Sequence, residues 1–258
     1  MSEDDSQGGK LHSIVIRDKL VNKWGDDTVR LFEQNVKTAA PRDQLCITAL
    51  TVSSSYCKAI MLLLAQGLRM PAKALLRVLF ELSAKMVWCL LVPQVSAQNS
   101  VDKSVEENIR RWGKSSLAEN KRLLESFVEI TAGNIQAEAH KRFEDARNRY
   151  NSLTCEEMPK LAQLIKQLSC YSGSSIRELY TRCYRQFNNA VHLDVSSLCG
   201  RVGYEGRTRV ADYDSKEDIS ELSQFCAVIM HIMLFTIRRH YGWDTTAMDD
   251  EFHQVSKQ

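Results

Sequence analysis

The sequence contains few of the residues that interrupt helices. Its 258 residues include only 11 glycines and 4 prolines, and long stretches contain neither. Folds built from many short strands need frequent turns, which glycine and proline supply. Their scarcity therefore argues against a strand-rich architecture and predicts an all-α fold.

The chain also lacks an excess of charge of either sign. Lysine and arginine together number 34 and aspartate and glutamate 32, which gives a formal net charge of +2. A nearly neutral protein creates no global field that attracts nucleic acid. Any contact with RNA therefore has to come from a local basic patch.

Closely paired cysteines are absent as well. The eight cysteines are scattered, with no C-x-x-C pair and no short metal-ligand spacing. Most of them fall on apolar helical faces, where cysteine behaves as a small hydrophobic residue. We expect free thiols in a reducing cytoplasm, with no metal ion and no cofactor.

No apolar run is long enough to cross a membrane. The longest, "AIMLLLAQGL", is followed at once by Arg69, whereas a membrane-spanning helix needs about 20 apolar residues. The N-terminal "MSEDDSQGGK" is acidic and polar, unlike a signal peptide. We therefore expect a cytoplasmic protein that makes no membrane contact.

The chain is rich in helical periodicity. Apolar residues recur every three or four positions along most of it, which predicts a bundle of about seven to eight helices. We assign 1–10 to a disordered N-terminus and 11–258 to a single helical domain, with a sub-boundary at the linker-like segment 93–104. A glycine-rich loop with room for a short hairpin is expected near 200–215.

Two of the predicted helices differ in their expected surroundings. The first, over 11–38, is amphipathic, with Trp24-Gly25 as a candidate break. The third, "RMPAKALLRVLFELSAKMVWCLLVP", is bounded by Pro71 and Pro93 and is apolar on nearly every side. A helix that is apolar all round has to be buried, so the third helix is predicted to be central.

The central helix carries one row of charged residues. They recur at every fourth position: Lys73, Arg77, Glu81 and Lys85. Four-residue spacing places them along one slowly drifting line. The row either lies at the surface, with an Arg77–Glu81 ion pair, or points into a polar cleft. Both interpretations remain open at this stage.

A helix predicted over 175–191 also separates into two faces. At about 100° per residue, its apolar side chains share one broad face. The opposite face is a narrow polar stripe, made of Glu178, Arg182, Arg185, Asn189 and His192. One interpretation is an ordinary solvated helix face, with His192 capping the helix C-terminus against the dipole. The other is a nuclease site.

The pattern "RQFNNAVH", from Arg185 to His192, resembles the R-x(4–6)-H motif of the all-helical HEPN superfamily (higher eukaryotes and prokaryotes nucleotide-binding). The resemblance implies a metal-independent endoribonuclease in a toxin or antiviral defence setting. It implies that His192 acts in acid–base chemistry on the ribose 2′-OH and that Arg185 stabilises the phosphorane charge. It also implies a composite site between two protomers, with an antitoxin or defence-system protein as a partner.

A second resemblance covers more of the chain. "GLRMPAKALLRVLFELSAKMVWCL" and "LYTRCYRQFNNAVHLDVSSL" resemble a helical family known only as domain of unknown function 5677. That resemblance implies that Arg77, Glu81, Tyr184 and His192 converge on one cleft. It implies no particular activity.

The glycine-rich loop "GRVGYEGRTR" supplies three further cationic candidates. Its glycine spacing is not followed by the helix that a phosphate-binding loop needs. Its arginines are nevertheless suited to contacts with an RNA backbone. They are Arg201, Arg207 and Arg209.

The resemblance to the HEPN superfamily implies a HEPN-like endoribonuclease, which is the function expected here. The alternative is a non-catalytic helical module that binds a protein partner or a nucleotide. For the enzyme we predict a symmetric homodimer with the polar stripe at the two-fold axis, because one row of side chains cannot enclose a substrate but two facing rows can. Such a cleft is expected to be electropositive, since only Glu178 opposes Arg182 and Arg185.

Overall fold

The computed structural model describes residues 3–36, 40–93, 101–172, 175–185, 202–204, 208–210 and 217–255. Within these ranges the chain forms nine helices and one hairpin. The helices are α1 (Glu3–Asn35), α2 (Pro41–Ala65), α3 (Arg69–Leu91), α4 (Val101–Ile130), α5 (Gly133–Ser152), α6 (Leu161–Ser172), α7 (Ser175–Leu179, continuing as a π-helical turn over Tyr180–Arg185), α8 (Glu217–His240) and α9 (Thr246–Val255). The predicted all-α bundle is confirmed, with slightly more helices than expected.

Helix α3 is central to the bundle. It packs mainly between α2 and α8, and it also contacts α4, α6 and the π-helical turn. Leu76, Leu79 and Trp88 on α3 are completely buried. Pro71 lies in its first turn, where proline costs no helical hydrogen bond. The predicted central position of this helix is confirmed.

The end of α3 is held by a residue that the sequence patterns did not single out. Asn108 on α4 is completely buried, and its Nδ2 donates hydrogen bonds to the carbonyl oxygens of Cys89 (3.2 Å) and Val92 (2.8 Å). Cys89 lies in the last turn of α3 and Val92 is its C-cap, so no helical N–H is available to bond these carbonyls. Asn108 therefore joins the start of α4 to the end of α3.

Helix α1 runs without interruption, so the predicted break at Trp24-Gly25 is wrong. Gly25 is buried, and a Cβ atom at this position would lie 3.3 Å from Ser54 Oγ on α2. The glycine thus lets α1 and α2 approach closely without ending the helix. Helix α1 also begins at Glu3, inside the segment 1–10 for which we expected disorder. Acidic residues in a first turn favour a helix through its dipole.

Helices α4 and α5 pack along each other and are joined by only two residues, so they form an antiparallel helical hairpin. The chain that follows α5 returns to α4, where Met158 N donates to Ser115 Oγ (2.8 Å). Lys114 Nζ on α4 donates to the carbonyl oxygens of Leu153 (2.9 Å) and Cys155 (2.7 Å). Of the predicted linker 93–104, residues from Val101 onward are helical, and 94–100 lie outside the described residues.

The glycine-rich loop contains a short antiparallel hairpin, as the sequence had suggested. Strand β1 (Val202–Tyr204) pairs with β2 (Thr208–Val210), with Val202 opposite Val210. The remainder of the segment 200–215 lies outside the described residues.

Two described helices are long and apolar enough to cross a membrane by length and composition alone. They are Pro41–Ala65 and the stretch Ile219–His240 of α8. Both pack against α3, and the core helices of soluble proteins have the same composition. The expected cytoplasmic location therefore remains a prediction.

The six cysteines whose side chains the structure describes are free thiols. Two of them, Cys57 and Cys226, have their Sγ atoms 3.3 Å apart in the core between α2 and α8. Burial raises the pKa of the Cys57 thiol well above its usual range, which keeps it in the unreactive protonated form.

Helix α9 is attached to the bundle through a histidine. His231 Nε2 on α8 lies 2.8 Å from Asp249 Oδ1 on α9, and the His231 ring stacks on Phe252 with ring centroids 4.1 Å apart. Burial lowers the pKa of His231 below its ordinary value of 6.5, although Asp249 opposes this effect. The folded protein therefore holds His231 neutral at neutral pH.

This arrangement predicts that acid weakens the attachment of α9. The unfolded chain binds a proton at His231 more readily than the folded chain does. The contribution of neutral His231 to stability is therefore complete above pH 6.5 and is lost as the pH falls below that value. We expect the free energy of unfolding, measured with urea, to decrease between about pH 7.5 and about pH 5.5. His231→Asn should show a smaller decrease. The exposed His140→Asn is the control, and an equal decrease in both variants would contradict the prediction.

Candidate functional site

The helix that carries the polar stripe is not regular. It is α-helical only over Ser175–Leu179 and becomes π-helical over Tyr180–Arg185. The predicted regular helix over 175–191 is therefore wrong over Tyr180–Arg185, and residues 186–191 lie outside the described residues. A π-helical turn bonds each residue to the fifth one along the chain. Within the turn itself, residues therefore depart from the positions that a 3.6-residue period predicts.

Aromatic packing against α3 explains the irregular turn. Tyr180 and Tyr184 stack with their ring centroids 5.4 Å apart and their planes at 16°. Both rings also lie against Phe80 of α3, at 6.3 Å and 6.4 Å. The wider turn allows both tyrosines to face α3, and it directs this side of the segment towards the charged row on that helix.

Arg77 of the charged row meets this aromatic surface. Its Nη2 donates a hydrogen bond to Tyr184 Oη at 3.1 Å, and its guanidinium carbon lies 4.7 Å from the centre of the Tyr184 ring. Arg77 is half-buried, and its Nε has no hydrogen-bond partner among the described residues. A guanidinium held in this way has an orientation fixed by a hydrogen bond and a ring face.

Glu81 has a different partner from the one expected. Its carboxylate accepts a hydrogen bond from Lys85 Nζ at 2.6 Å, and about a third of its side chain is exposed. The Arg77–Glu81 ion pair considered from the sequence is thus replaced by Glu81–Lys85 and Arg77–Tyr184. The structure brings Arg77 and Tyr184 together, as the family resemblance implied. Their convergence with His192 stays a prediction, because His192 lies outside the described residues.

The described part of the polar stripe is exposed and already paired. Arg182 Nη2 lies 3.2 Å from Glu178 Oε1, and Arg182 Nη1 lies 3.7 Å from Glu221 Oε1 on α8. Glu221 was missed because it is distant in sequence and no local pattern connects it with the stripe. Two carboxylates therefore surround Arg182. The expectation that Glu178 is the only acid opposing Arg182 is therefore wrong, because Glu221 opposes it as well.

The other predicted site residues are described only in part. Arg185 belongs to the π-helical turn and Arg209 to β2. Those outside the described residues are Asn189, His192, Arg201 and Arg207. The catalytic and RNA-binding roles of all six therefore stay predictions.

A second concave surface has no counterpart in the sequence patterns. It is a cleft of about 720 Å³ between α4 and α6, with Arg111 on one wall and Lys160, Gln163 and Lys166 on the other. These walls come from segments almost fifty residues apart in the chain, so no spacing rule connects them. In the part of the chain that the structure describes, no group of three or more histidine, cysteine or acidic residues is arranged to hold a metal ion.

These elements define an all-α bundle in which the central helix meets a π-helical turn through an arginine–tyrosine contact. A family model described as "Family of unknown function (DUF5677)" matches residues 43–207, a stretch that includes both sides of this contact. The match covers more than half of the chain, and the protein belongs to this family. No curated protein and no solved structure matches the chain.

Proposed function

We propose that this protein is a HEPN-like, metal-independent endoribonuclease of a toxin or antiviral defence system. The observation that carries the proposal is the contact between Arg77 and Tyr184, because Tyr184 lies in the π-helical turn that ends at Arg185. The contact holds a half-buried cation beside the turn that leads to the candidate catalytic pair. Stabilising the charge on a reacting phosphate requires such fixed positive groups.

The π-helical turn gives independent support. Single π-helical turns within helices are uncommon and occur frequently at functional sites. Here the turn covers Tyr180–Arg185, directly before the segment that contains His192. The same residues lie within the stretch matched by the family model.

The chemistry assigned to the pair needs no metal ion. In the proposed reaction His192 accepts the proton of the ribose 2′-OH, and the 2′ oxygen forms a bond to the adjacent phosphorus. The bond from phosphorus to the 5′ oxygen breaks, and that oxygen takes up a proton from water. The products are a 2′,3′-cyclic phosphate and a 5′-OH. Arg185 balances the additional negative charge of the phosphorane.

The proposed active form is a cytoplasmic homodimer. The described residues of the stripe, Glu178 and Arg182, are at least half exposed and so are accessible to a second copy. A two-fold axis at the stripe would bring two Arg185–His192 pairs together in one cleft. An antitoxin or another defence-system protein that covers this cleft would control the activity.

The proposal is tested with purified protein, a labelled RNA and an all-deoxy strand of the same sequence, in the presence of EDTA. We expect cleavage of the RNA alone, with a 2′,3′-cyclic phosphate at the new end, because the attacking group is the 2′-OH. End-group analysis by mass spectrometry identifies the product. Cleavage of the deoxy strand, or complete loss of activity in EDTA, would contradict the proposal.

One observation favours the second candidate function, a non-catalytic helical module that binds a protein partner. Leu123, Phe127 and Ile130 fall within a narrow arc of α4, and Ile135 lies close by at the start of α5. All four side chains are exposed, Ile130 by 79%. Exposed apolar stripes of this kind are typical of protein-binding surfaces. A protein that cleaves neither strand in the test above would favour this candidate.

A further inference from the structure

The cleft between α4 and α6 is lined mainly by polar and cationic side chains, together with one acidic side chain, Glu157. Lys160 precedes α6, and Gln163, Lys166 and Gln167 follow along its exposed face. Arg111 forms the opposite wall. Cys170 lies at the far end of the cleft, five residues before the start of α7. The cleft therefore extends along α6 towards the helix that leads into the candidate active site.

The Arg111 wall of the cleft is rigid. The Arg111 side chain is only 14% exposed, and Nη2 lies 3.1 Å from Glu156 Oε2. Its guanidinium carbon lies 5.6 Å from the centre of the Trp88 ring, and Trp88 Nε1 donates to Gln167 Oε1 on α6 at 2.6 Å. These contacts fix the cation and the facing helix relative to each other.

The lysine wall carries charge that nothing in the described part of the chain neutralises. Lys160 and Lys166 are exposed, and neither ammonium group forms a salt bridge within the described residues. Several other exposed cations of the bundle are paired within their own helix, as Arg110 is with Glu106 and Glu107. With Arg111 on the facing wall, Lys160 and Lys166 give the cleft three cations. The opposing carboxylates are Glu156, which pairs with Arg111, and Glu157, which accepts a hydrogen bond from Tyr150 Oη at 2.7 Å. The cleft therefore carries a local excess of positive charge.

We propose that this cleft binds the phosphate backbone of single-stranded RNA and directs the strand towards α7 and its π-helical turn. This inference rests on the proposed endoribonuclease function and names the surface that holds its substrate. Lysine and arginine bind phosphates without reading sequence, and the amide of Gln163 can bond to a base or a sugar.

The shape of the cleft favours an extended strand over a small phosphorylated ligand. Lys160 and Lys166 are separated by six residues, about 9 Å along the helix axis, so they are suited to different phosphates. The cleft is open along one side, whereas pockets for small ligands enclose most of the ligand surface. Helix α6 spans about 18 Å and brings the strand from Lys160 to the helix that contains the π-helical turn.

The test is the binding of a labelled single-stranded oligouridylate, measured by fluorescence anisotropy at several salt concentrations. His192→Ala is the background, so that the strand stays intact. We expect Lys160→Glu combined with Lys166→Glu to weaken binding about tenfold or more and to reduce the salt slope by about 1.4, since each phosphate contact on a single strand contributes about 0.7. The matched control carries Lys58→Glu and Lys141→Glu, two exposed positions outside the cleft. It should bind the strand as tightly as the His192→Ala background does.

The outcomes separate this inference from the proposed function. Equal binding by the cleft variant and the control variant would overturn the inference, even if the unaltered protein cleaves RNA. Loss of binding in the cleft variant alone supports it, even if no RNA is cleaved and the proposed function fails. Full displacement of the strand by low concentrations of inorganic phosphate would also overturn it, because the cleft would then be a small-anion site. Circular dichroism checks that every variant is folded.

Discussion

Replacement of His192 by alanine is expected to lower the rate of RNA cleavage by about 10²- to 10⁴-fold, the usual contribution of a general acid–base group. The imidazole is the side chain best suited to accept a proton from the 2′-OH near neutral pH. Single-turnover cleavage of the labelled RNA measures the effect. RNA affinity should remain unchanged, because we assign phosphate binding to other residues.

The matched control for this variant is His140→Ala. His140 is exposed on α5, far in sequence from the proposed site, and its replacement should leave the cleavage rate unchanged.

Arg185→Lys, like His192→Ala, should lower the cleavage rate, because lysine keeps the charge but loses the planar set of donors that fits a phosphorane. A His192→Ala protein that cleaves at the normal rate would remove the catalytic role from this residue. A fully active monomer in analytical ultracentrifugation would instead rule out the composite site.

The fold class could be predicted because it depends on composition and periodicity. Few glycines and prolines favour helices, and a helix that is apolar all round has to be central, as α3 is. Gly25 shows the limit of this reasoning. A glycine after a tryptophan resembles a helix break, but its role is to let α1 approach Ser54 of α2. That role depends on a tertiary contact, which local patterns do not contain.

The site was predicted less completely for a similar reason. The polar stripe was predicted by assuming 3.6 residues per turn along the whole helix. The π-helical turn over Tyr180–Arg185 has a different number of residues per turn, so the assumption fails there. The turn depends on the packing of two tyrosines on Phe80, a residue far away in the chain. The Arg77–Tyr184 contact could be anticipated only from the family resemblance. The pairing of Arg182 with Glu221 on α8 could not be anticipated at all.

Trp88 is the residue whose loss should most destabilise the fold. It is completely buried in the last third of α3, its Nε1 bonds to Gln167 on α6, and Arg111 of α4 lies over its ring. It therefore joins three helices beneath the α4–α6 cleft, in contact with the lining residues Arg111 and Gln167. Truncation of a buried tryptophan to alanine leaves a large cavity and typically costs about 3–5 kcal/mol.

We expect Trp88→Ala to lower the free energy of unfolding by that amount, measured by urea denaturation. Trp88→Phe should cost less, because it keeps most of the buried ring and loses only the bond to Gln167 and part of the contact with Arg111. Phe127→Ala is the control, since Phe127 is 45% exposed on the apolar stripe of α4, and surface substitutions usually change stability by less than about 0.5 kcal/mol. If Trp88→Ala and Phe127→Ala unfold at the same urea concentration, Trp88 does not join these helices. A different outcome is that Trp88→Ala folds but binds RNA weakly, with an unchanged salt slope. Trp88 would then be needed to hold Arg111 and α6 in the orientation that binds RNA, while the number of phosphate contacts stays the same.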